Sequence, residues 1–268
     1  MSTYHQRLTA VTAARGNLCV GIDPHAALLS AWDLPLTASG LERYCRTVVE
    51  ALGECVAVFK PQSAFFEVYG SAGIAVLERV LADIAAAGAL SIVDAKRGDI
   101  GSTMAAYAEA YLTPGSPLAG DAVTVSPYLG FDSLIPAFER AIAFDRGVYV
   151  LARTSNPEGG SVQLALGREG SVAQEIIDAA QELNSRARTR AVGLVVGGTH
   201  QALGCDVSGF NASILVPGIG AQGGRIEDLS GMFGPAHDKV LPMVGRAILQ
   251  AGPDPEALRA KVASYVAV

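Results

Sequence analysis

Leu90-Ser91-Ile92-Val93-Asp94-Ala95-Lys96-Arg97-Gly98-Asp99-Ile100-Gly101-Ser102-Thr103 carries an aliphatic run straight into two acids and a lysine. Residues two apart on a strand face the same side, so Asp94 and Lys96 are expected to project together. Charge placed at the mouth of an apolar strand loses hydration, and pairing is what offsets that loss. The stretch therefore reads either as a structural ion-pair network or as a site at a strand end. The rest of the chain decides between them.

Outward from this stretch, seven more short aliphatic runs read as strands: 18–22, 56–60, 122–126, 148–152, 192–197, 214–217 and 240–245. They are near-continuously apolar rather than alternating, as expected of parallel strands covered on both faces. Helical patterns lie between them. Ile74, Leu77, Leu81 and Ile84 form one stripe, and Ala173, Ile176, Ile177, Ala180 and Leu183 another. Asp254-Pro255-Glu256 reads as a helix start, with Leu258, Val262 and Tyr265 continuing one face. The helical pattern is weak over 101–113 and 224–236. Eight strand-then-helix units predict an α/β fold, a (β/α)8 TIM barrel forming one domain over 1–268; a doubly wound sheet is the alternative on pattern alone.

A barrel gathers its active site at the carboxyl ends of the strands. Asp23 follows the first strand, Lys60 ends the second, and Asp94 and Lys96 end the third. Thr154-Ser155-Asn156 follow the fifth, Pro217 to Gly224 the seventh, and Gly245-Arg246 close the eighth. Loops after strands seven and eight are the usual phosphate cradle of such barrels, with glycines exposing N–H groups and an arginine adding a two-pronged donor. The plain alternative for Pro217-Gly218-Ile219-Gly220-Ala221-Gln222-Gly223-Gly224 is a flexible turn, and Arg246 beside it favours a phosphorylated ligand. Elsewhere on the rim, Lys60, Asp94, Lys96 and Asp99 alternate cations and anions. Lys96 reads as an ammonium that donates a proton, a general acid rather than a Schiff-base lysine.

Composition excludes several classes. Of 268 residues, 50% are hydrophobic and 17% charged, which suits a substantial core and argues against disorder. A formal charge of -6 lacks the basic footprint of a nucleic-acid binder, and the short Arg186/Arg188/Arg190 run reads as a solvated helix face. Cys19, Cys45, Cys55 and Cys205 have no zinc or redox spacing; Cys19 and Cys55 read as small buried hydrophobes inside strands, which fits a reducing cytoplasm. Residues 1–16 lack the apolar run of a secretory signal, and Asp83 or Asp94 interrupts the most apolar windows, so no membrane association is expected. There is no evident metal cluster and no Gly-x-Gly-x-x-Gly after the first strand, so no metal and no cofactor is expected. His25, beside Asp23-Pro24, lies near the rim, but His5, His25, His200 and His237 are all read as surface or packing residues.

Asp94-x-Lys96-x-x-Asp99-Ile100-x-x-Thr103, with Asp23, Phe59-Lys60-Pro61, Ser155-Asn156-Pro157, the Pro217 to Gly224 loop and Val244-Gly245-Arg246, resembles the orotidine 5'-phosphate decarboxylase family over about residues 17 to 250. The extended segments before Lys60 and after Ser155 look like its long, second group, common in mycobacteria and related bacteria. The resemblance implies cofactor-free conversion of orotidine 5'-phosphate to UMP and CO2 in de novo pyrimidine synthesis. It implies that Lys96 protonates C6 of the pyrimidine, that Asp94 lies against the departing carboxylate, and that Lys60 joins the charge network and contacts ribose. Asp23 would hold ribose hydroxyls, Ser155 the pyrimidine, and Gln222, Gly245 and Arg246 the phosphate, with Pro217 at the substrate. Asp99, Ile100 and Thr103 would reach the neighbouring subunit's site, which implies a homodimer with shared sites.

Two rivals follow. A magnesium-dependent sugar-phosphate decarboxylase or aldolase of the same suprafamily shares Asp-x-Lys-x-x-Asp but places a metal-binding acid at strand two, where this chain has Lys60. A catalytically silent phosphonucleotide-binding barrel would keep Arg246 without needing Lys96 between two acids. The Gly- and Ser-rich stretch 153–171 is the candidate lid, with an ordinary long loop as its alternative.

Overall fold

In the computed structural model, which describes residues 2–266, eight parallel strands close into one barrel in sequence order. They are β1 (Cys19–Ile22), β2 (Val58–Pro61), β3 (Leu90–Arg97), β4 (Ala122–Val125), β5 (Gly147–Arg153), β6 (Val192–Val196), β7 (Ile214–Val216) and β8 (Val240–Val244). Each pairs with the next, and β1 pairs with β8. The expected (β/α)8 class holds, and the doubly wound alternative does not. Met1, Ala267 and Val268 of the expected 1–268 domain lie outside the described residues.

The strands look unpatterned in sequence because both faces are buried, yet the period of two sorts them cleanly. Cys19, Val58, Ile92, Ala122, Tyr149, Val195, Leu215 and Leu241 pack together inside the barrel. Their neighbours Val20, Phe59, Val93, Val123, Val150, Leu194, Val216 and Val240 pack outward with the helices. On the outside, helix Gly70–Ala86 buries Leu77, Leu81 and Ile84 as the stripe predicts, and adds Val76 and Val80. Helix Val172–Arg186 buries every residue of its predicted stripe, and Pro255–Val266 buries Leu258 and Val262.

Several expectations need correction. No helix joins β6 to β7 among the described residues; 197–213 is an irregular connection. Its four glycines, Gly197, Gly198, Gly204 and Gly209, oppose a helix, since each costs about 1 kcal/mol against alanine. Leu203, Val207, Phe210 and Ala212 instead bury themselves where a helix would pack. The weak pattern over 101–113 is a regular helix, Gly101–Leu112, whereas 224–236 breaks into short turns around Leu229–Phe233. Cys55 lies in the turn before β2, while Cys19 is in β1 as expected and burial pushes its thiol up to about 12. Arg186 ends its helix, but Arg188 and Arg190 lie in the turn beyond it.

A helix absent from the sequence reading, Tyr4–Arg15, closes the amino end of the barrel. Thr3 and Gln6 form its capping box. The Tyr4 hydroxyl lies 2.9 Å from that of Tyr149, which donates to Ser213 Oγ at 3.0 Å. Arg7 pairs with Asp121 just before β4 at 2.9 Å. This end is plugged, which leaves the carboxyl end as the open mouth. No described helix is long and apolar enough to cross a membrane.

Candidate active site

Counting two residues up each strand from the inner apolar layer reaches the polar layer of the barrel. Lys60 follows Val58, Asp94 follows Ile92, and Thr124 follows Ala122, all inward and near the carboxyl ends. Gly21 is the corresponding position on β1: a Cβ there would sit 2.1 Å from the Met243 Cε, so glycine leaves room for the neighbouring strand's side chain. The layer lines a cavity of about 540 Å³ at the mouth.

Lys60 and Asp94 are almost fully buried, at 3% and 5% exposure, and neither is left alone. Lys60 Nζ lies 2.5 Å from Asp94 Oδ2 and 3.9 Å from Asp23 Oδ1. Lys96 Nζ lies 2.6 Å from Asp94 Oδ1, and Gln62 Nε2 donates to Asp94 Oδ2 at 2.9 Å. Burial by itself pushes the Asp94 carboxyl up, but the ammoniums of Lys60 and Lys96 outweigh it and hold it well below the usual carboxylate range. For Lys60, burial favours the neutral amine, and Asp94 and Asp23 override it, so the ammonium is retained far into alkali. The Lys96 side chain, 45% exposed, holds its charge at the cavity wall rather than inside the barrel.

Asp94 and Lys96 do meet, though plain strand alternation is not the reason. Val93 pairs with Val123 and Arg97 with Val125, so four steps along β3 match two along β4. Within this bulge Lys96 adopts φ 46°, a left-handed conformation uncommon for a residue with a side chain. Thr124 holds it: its Oγ1 accepts from the Lys96 N–H at 3.0 Å and donates to Asp94 Oδ1 at 2.8 Å. Strain of this kind costs on the order of 1–3 kcal/mol and persists where contacts over-determine it.

The other end of the cavity is built from the loops after β5, β7 and β8. Gly218, Gly220 and Gly223 have φ of 100°, 80° and 95°, and a Cβ on Gly224 would lie 2.5 Å from the Gly198 carbonyl oxygen. The loop is folded on itself: the N–H groups of Gly220, Gly223 and Gly224 bond the carbonyls of Gly224, Gly220 and Gly218 at 2.8, 2.9 and 3.0 Å. Those glycine amides are thus not the open cradle expected of them; their role is to shape the turn. Ser155 Oγ donates to Gln222 Oε1 at 3.0 Å, joining this loop to the one after β5. Within 153–171, short helical turns cover Pro157–Gly159 and Gly160–Gln163, and Gln163 ties back to Thr154 by accepting from its N–H at 3.0 Å. Arg246 opens a short helix after β8, with Nη2 3.3 Å from His25 Nε2.

Of the residues singled out from sequence, Asp23, Lys60, Asp94, Lys96, Ser155, Pro217, Gln222, Gly245 and Arg246 line this one cavity. Asp99, Ile100 and Thr103 do not. Asp99 Oδ1 accepts from the Ile100 N–H at 2.8 Å, Ile100 is 63% exposed, and Thr103 is exposed on the following helix. The cation-anion set of one chain is therefore Asp23, Lys60, Asp94 and Lys96, with Asp23 in the place the sequence reading gave to Asp99. Gln62, Thr124 and His25 also line the cavity and were missed or read as packing. The period-two count from Ala122 would have found Thr124, but nothing local marks Gln62.

The chain's similarities agree with this geometry. Residues 16–261 match the model of the orotidine 5'-phosphate decarboxylase / HUMPS family. The orotidine 5'-phosphate decarboxylase of Salinispora arenicola is 55% identical over 262 residues, covering 97% of this chain and 94% of that protein. A crystal structure from Streptomyces avermitilis superposes with a TM-score of 0.93 at 52% identity, covering 100% of this chain and 94% of the other. The OMP decarboxylase of Leishmania donovani superposes with a TM-score of 0.78 at 30% identity, over 97% of this chain and 96% of that one. A closed barrel carrying an Asp-Lys-Asp-Lys chain at its mouth, matched over nearly its whole length, belongs to the orotidine 5'-phosphate decarboxylase / HUMPS family.

Proposed function

We propose that this chain converts orotidine 5'-phosphate to UMP and CO2 in pyrimidine biosynthesis. The observation that carries the reading is the Lys60–Asp94–Lys96 chain lining the same cavity as Arg246. Loss of CO2 leaves an electron pair at C6 of the pyrimidine, and a fixed ammonium stabilises it better than water that must reorganise. Lys96 supplies that ammonium and then the proton. Asp94, kept ionised by two lysines, lies beside the substrate carboxylate, and departure of CO2 removes one of two neighbouring anions.

Lys60 contacts ribose, and Asp23, whose Oδ1 is buried without a hydrogen-bond partner, holds ribose hydroxyls. Ser155 contacts the pyrimidine, and Pro217, Gln222, Gly245 and Arg246 surround the phosphate end. Grip on the remote phosphate is converted to rate by holding the ring against Lys96. The segment 153–171 acts as the lid.

The working unit is a homodimer in which Asp99, Ile100 and Thr103 complete the partner's site. Exposed Val68, Ile100, Tyr128 and Leu129, at 53–81% exposure on the segments after β2, β3 and β4, support this, since large apolar side chains left exposed on the segments that follow successive strands suit a protein interface. The protein acts in the cytoplasm.

The test is a spectrophotometric assay of orotidine 5'-phosphate turnover with and without EDTA. Activity should survive the chelator; loss restored by magnesium points to the sugar-phosphate branch instead. Lys96→Ala should lose a factor of roughly 10² to 10⁴, typical of a general acid, while still binding UMP. Unchanged turnover in that variant removes Lys96 from the role.

A further inference from the structure

Arg153, at the end of β5, is a charged side chain only 7% exposed. Leu151 pairs with Val195 and Arg153 with Val196, so two steps along β5 match one along β6, and this bulge interrupts the inward row. Leu151, Thr154 and Ser155 line the cavity; Arg153 does not. A buried guanidinium is costly unless its charge is paired, yet every hydrogen-bond partner of this side chain among the described residues is neutral. Nε donates to the Leu203 carbonyl at 3.2 Å, and Nη1 donates to the Thr154 carbonyl at 3.3 Å and to Gln163 Oε1 at 3.2 Å. Nη2 lies 3.5 Å from His200 Nδ1. The network assigns His200 one tautomer, because Nδ1 faces a group with donors alone and Nε2 meets the Thr154 carbonyl, an acceptor, at 2.9 Å. Burial and the nearby Arg153 lower the His200 pKa, in keeping with a neutral ring.

An apolar side chain would fill this space without burying a charge. What the guanidinium adds is geometry: its fork ties the end of β5 to the turn Gly160–Gln163 and to the 197–213 connection. These bonds converge on Thr154. Its carbonyl accepts from Arg153 and His200, its N–H donates to Gln163 Oε1 at 3.0 Å, and its hydroxyl accepts from Gln163 Nε2 at 2.7 Å and donates to Asn156 Oδ1 at 2.7 Å. Ser155, next in the chain, has little freedom left. Its carbonyl accepts from Thr199 Oγ1 at 3.2 Å, and a Cβ on Gly197 would lie 2.6 Å from the Ser155 Cα. Its own hydroxyl reaches Gln222 at 3.0 Å. Resting on the pyrimidine contact proposed above for Ser155, we propose that Arg153 is a positioning residue for the base: without touching the ligand, it sets through Thr154 where the Ser155 hydroxyl stands.

The test is a double-mutant cycle on UMP affinity, measured by calorimetry, with Arg153→Met and Ser155→Ala. Each single variant should weaken UMP binding by about ten-fold, the size of one lost hydrogen bond to the ligand. The double variant should bind within about two-fold of Ser155→Ala, because Arg153 has nothing left to position. Losses that multiply in the double variant overturn the inference. An Arg153→Met protein that unfolds at lower urea but binds UMP like the wild type also overturns it, since that is a purely structural role. Should Arg153→Met not fold, His200→Phe removes a donor to the same Thr154 carbonyl from a half-buried position. It should weaken UMP binding by about three-fold in the wild-type background and leave Ser155→Ala unchanged; no loss, or equal loss in both backgrounds, overturns the inference. Turnover separates this inference from the proposed function. A protein that shows the coupling but leaves orotidine 5'-phosphate intact overturns the function and keeps the Arg153 assignment. Turnover without the coupling does the reverse, and a wild type that binds no UMP overturns both.

Discussion

Replacing Thr124 by valine removes one hydroxyl from a position 1% exposed and leaves the side-chain shape nearly intact. That hydroxyl donates to Asp94 at 2.8 Å and accepts from the Lys96 amide at 3.0 Å. A hydrogen bond to a charged group contributes about 1.5–3 kcal/mol, and the amide left without a partner adds at the low end of its range because Lys96 is near solvent, so the total is roughly 2–4 kcal/mol. Asp94 keeps Lys60, Lys96 and Gln62, so the carboxylate remains ionised. What is lost is the pin on the bulge that aims Lys96. If about half of the cost falls on the aim of the ammonium, kcat drops on the order of 10-fold or somewhat more, at 1.36 kcal/mol per decade. KM for orotidine 5'-phosphate should stay near the wild-type value, because Arg246 and the β7 loop are untouched. Urea unfolding measures the remaining part as lost stability, and steady-state kinetics separates kcat from KM. A variant that loses stability but keeps kcat within two-fold of wild type would show that the hydroxyl merely braces the barrel, and the argument for a strained, aimed Lys96 would fail.

Arg246→Ala should weaken UMP binding by roughly 2–5 kcal/mol, as for a desolvated ion pair, with little effect on uridine; equal losses for both ligands would remove the phosphate from its reach. The ion-pair chain also sets a pH window. Asp94 is depressed in the folded protein, so its contribution is present above the ordinary carboxylate pKa of about 3.9 and lost as pH falls through the depressed value; Lys60 is raised, so its contribution is present below about 10.4 and lost as pH rises through the raised value. The stability difference between wild type and Asp94→Asn should therefore be flat from about pH 5 to 9 and shrink below about pH 4, and a sloping difference near neutrality in urea midpoints refutes the pairing. Mixed Lys96→Ala and Asp99→Ala chains should regain activity through one intact hybrid pocket, whereas no recovery after demonstrated subunit exchange rules out sharing.

Much of this protein was readable because it is written locally. Eight buried strands announce themselves as aliphatic runs, and the residue after each run is at the rim whatever the helices do, so Asp23, Lys60, Asp94, Lys96 and Arg246 could be assigned to one mouth before any contact was known. Tertiary structure decided what those residues touch. Thr124 lies 28 residues from Lys96 and 30 from Asp94, and its two hydrogen bonds exist because β4 pairs with β3 in a register broken by a bulge. Gln62 reaches Asp94 across the β2–β3 seam, 32 residues away. Asp99, three residues beyond Lys96, turns out of its own cavity because the backbone leaves the strand and enters the Gly101–Leu112 helix. The sequence puts His25 near the rim as a surface or packing residue, and barrel closure is what brings Arg246, 221 residues distant, to 3.3 Å from its Nε2. Apolar periodicity reports which face of a strand is buried; the partner of a buried charge depends on inter-strand register and closure, and these are properties of the folded chain as a whole.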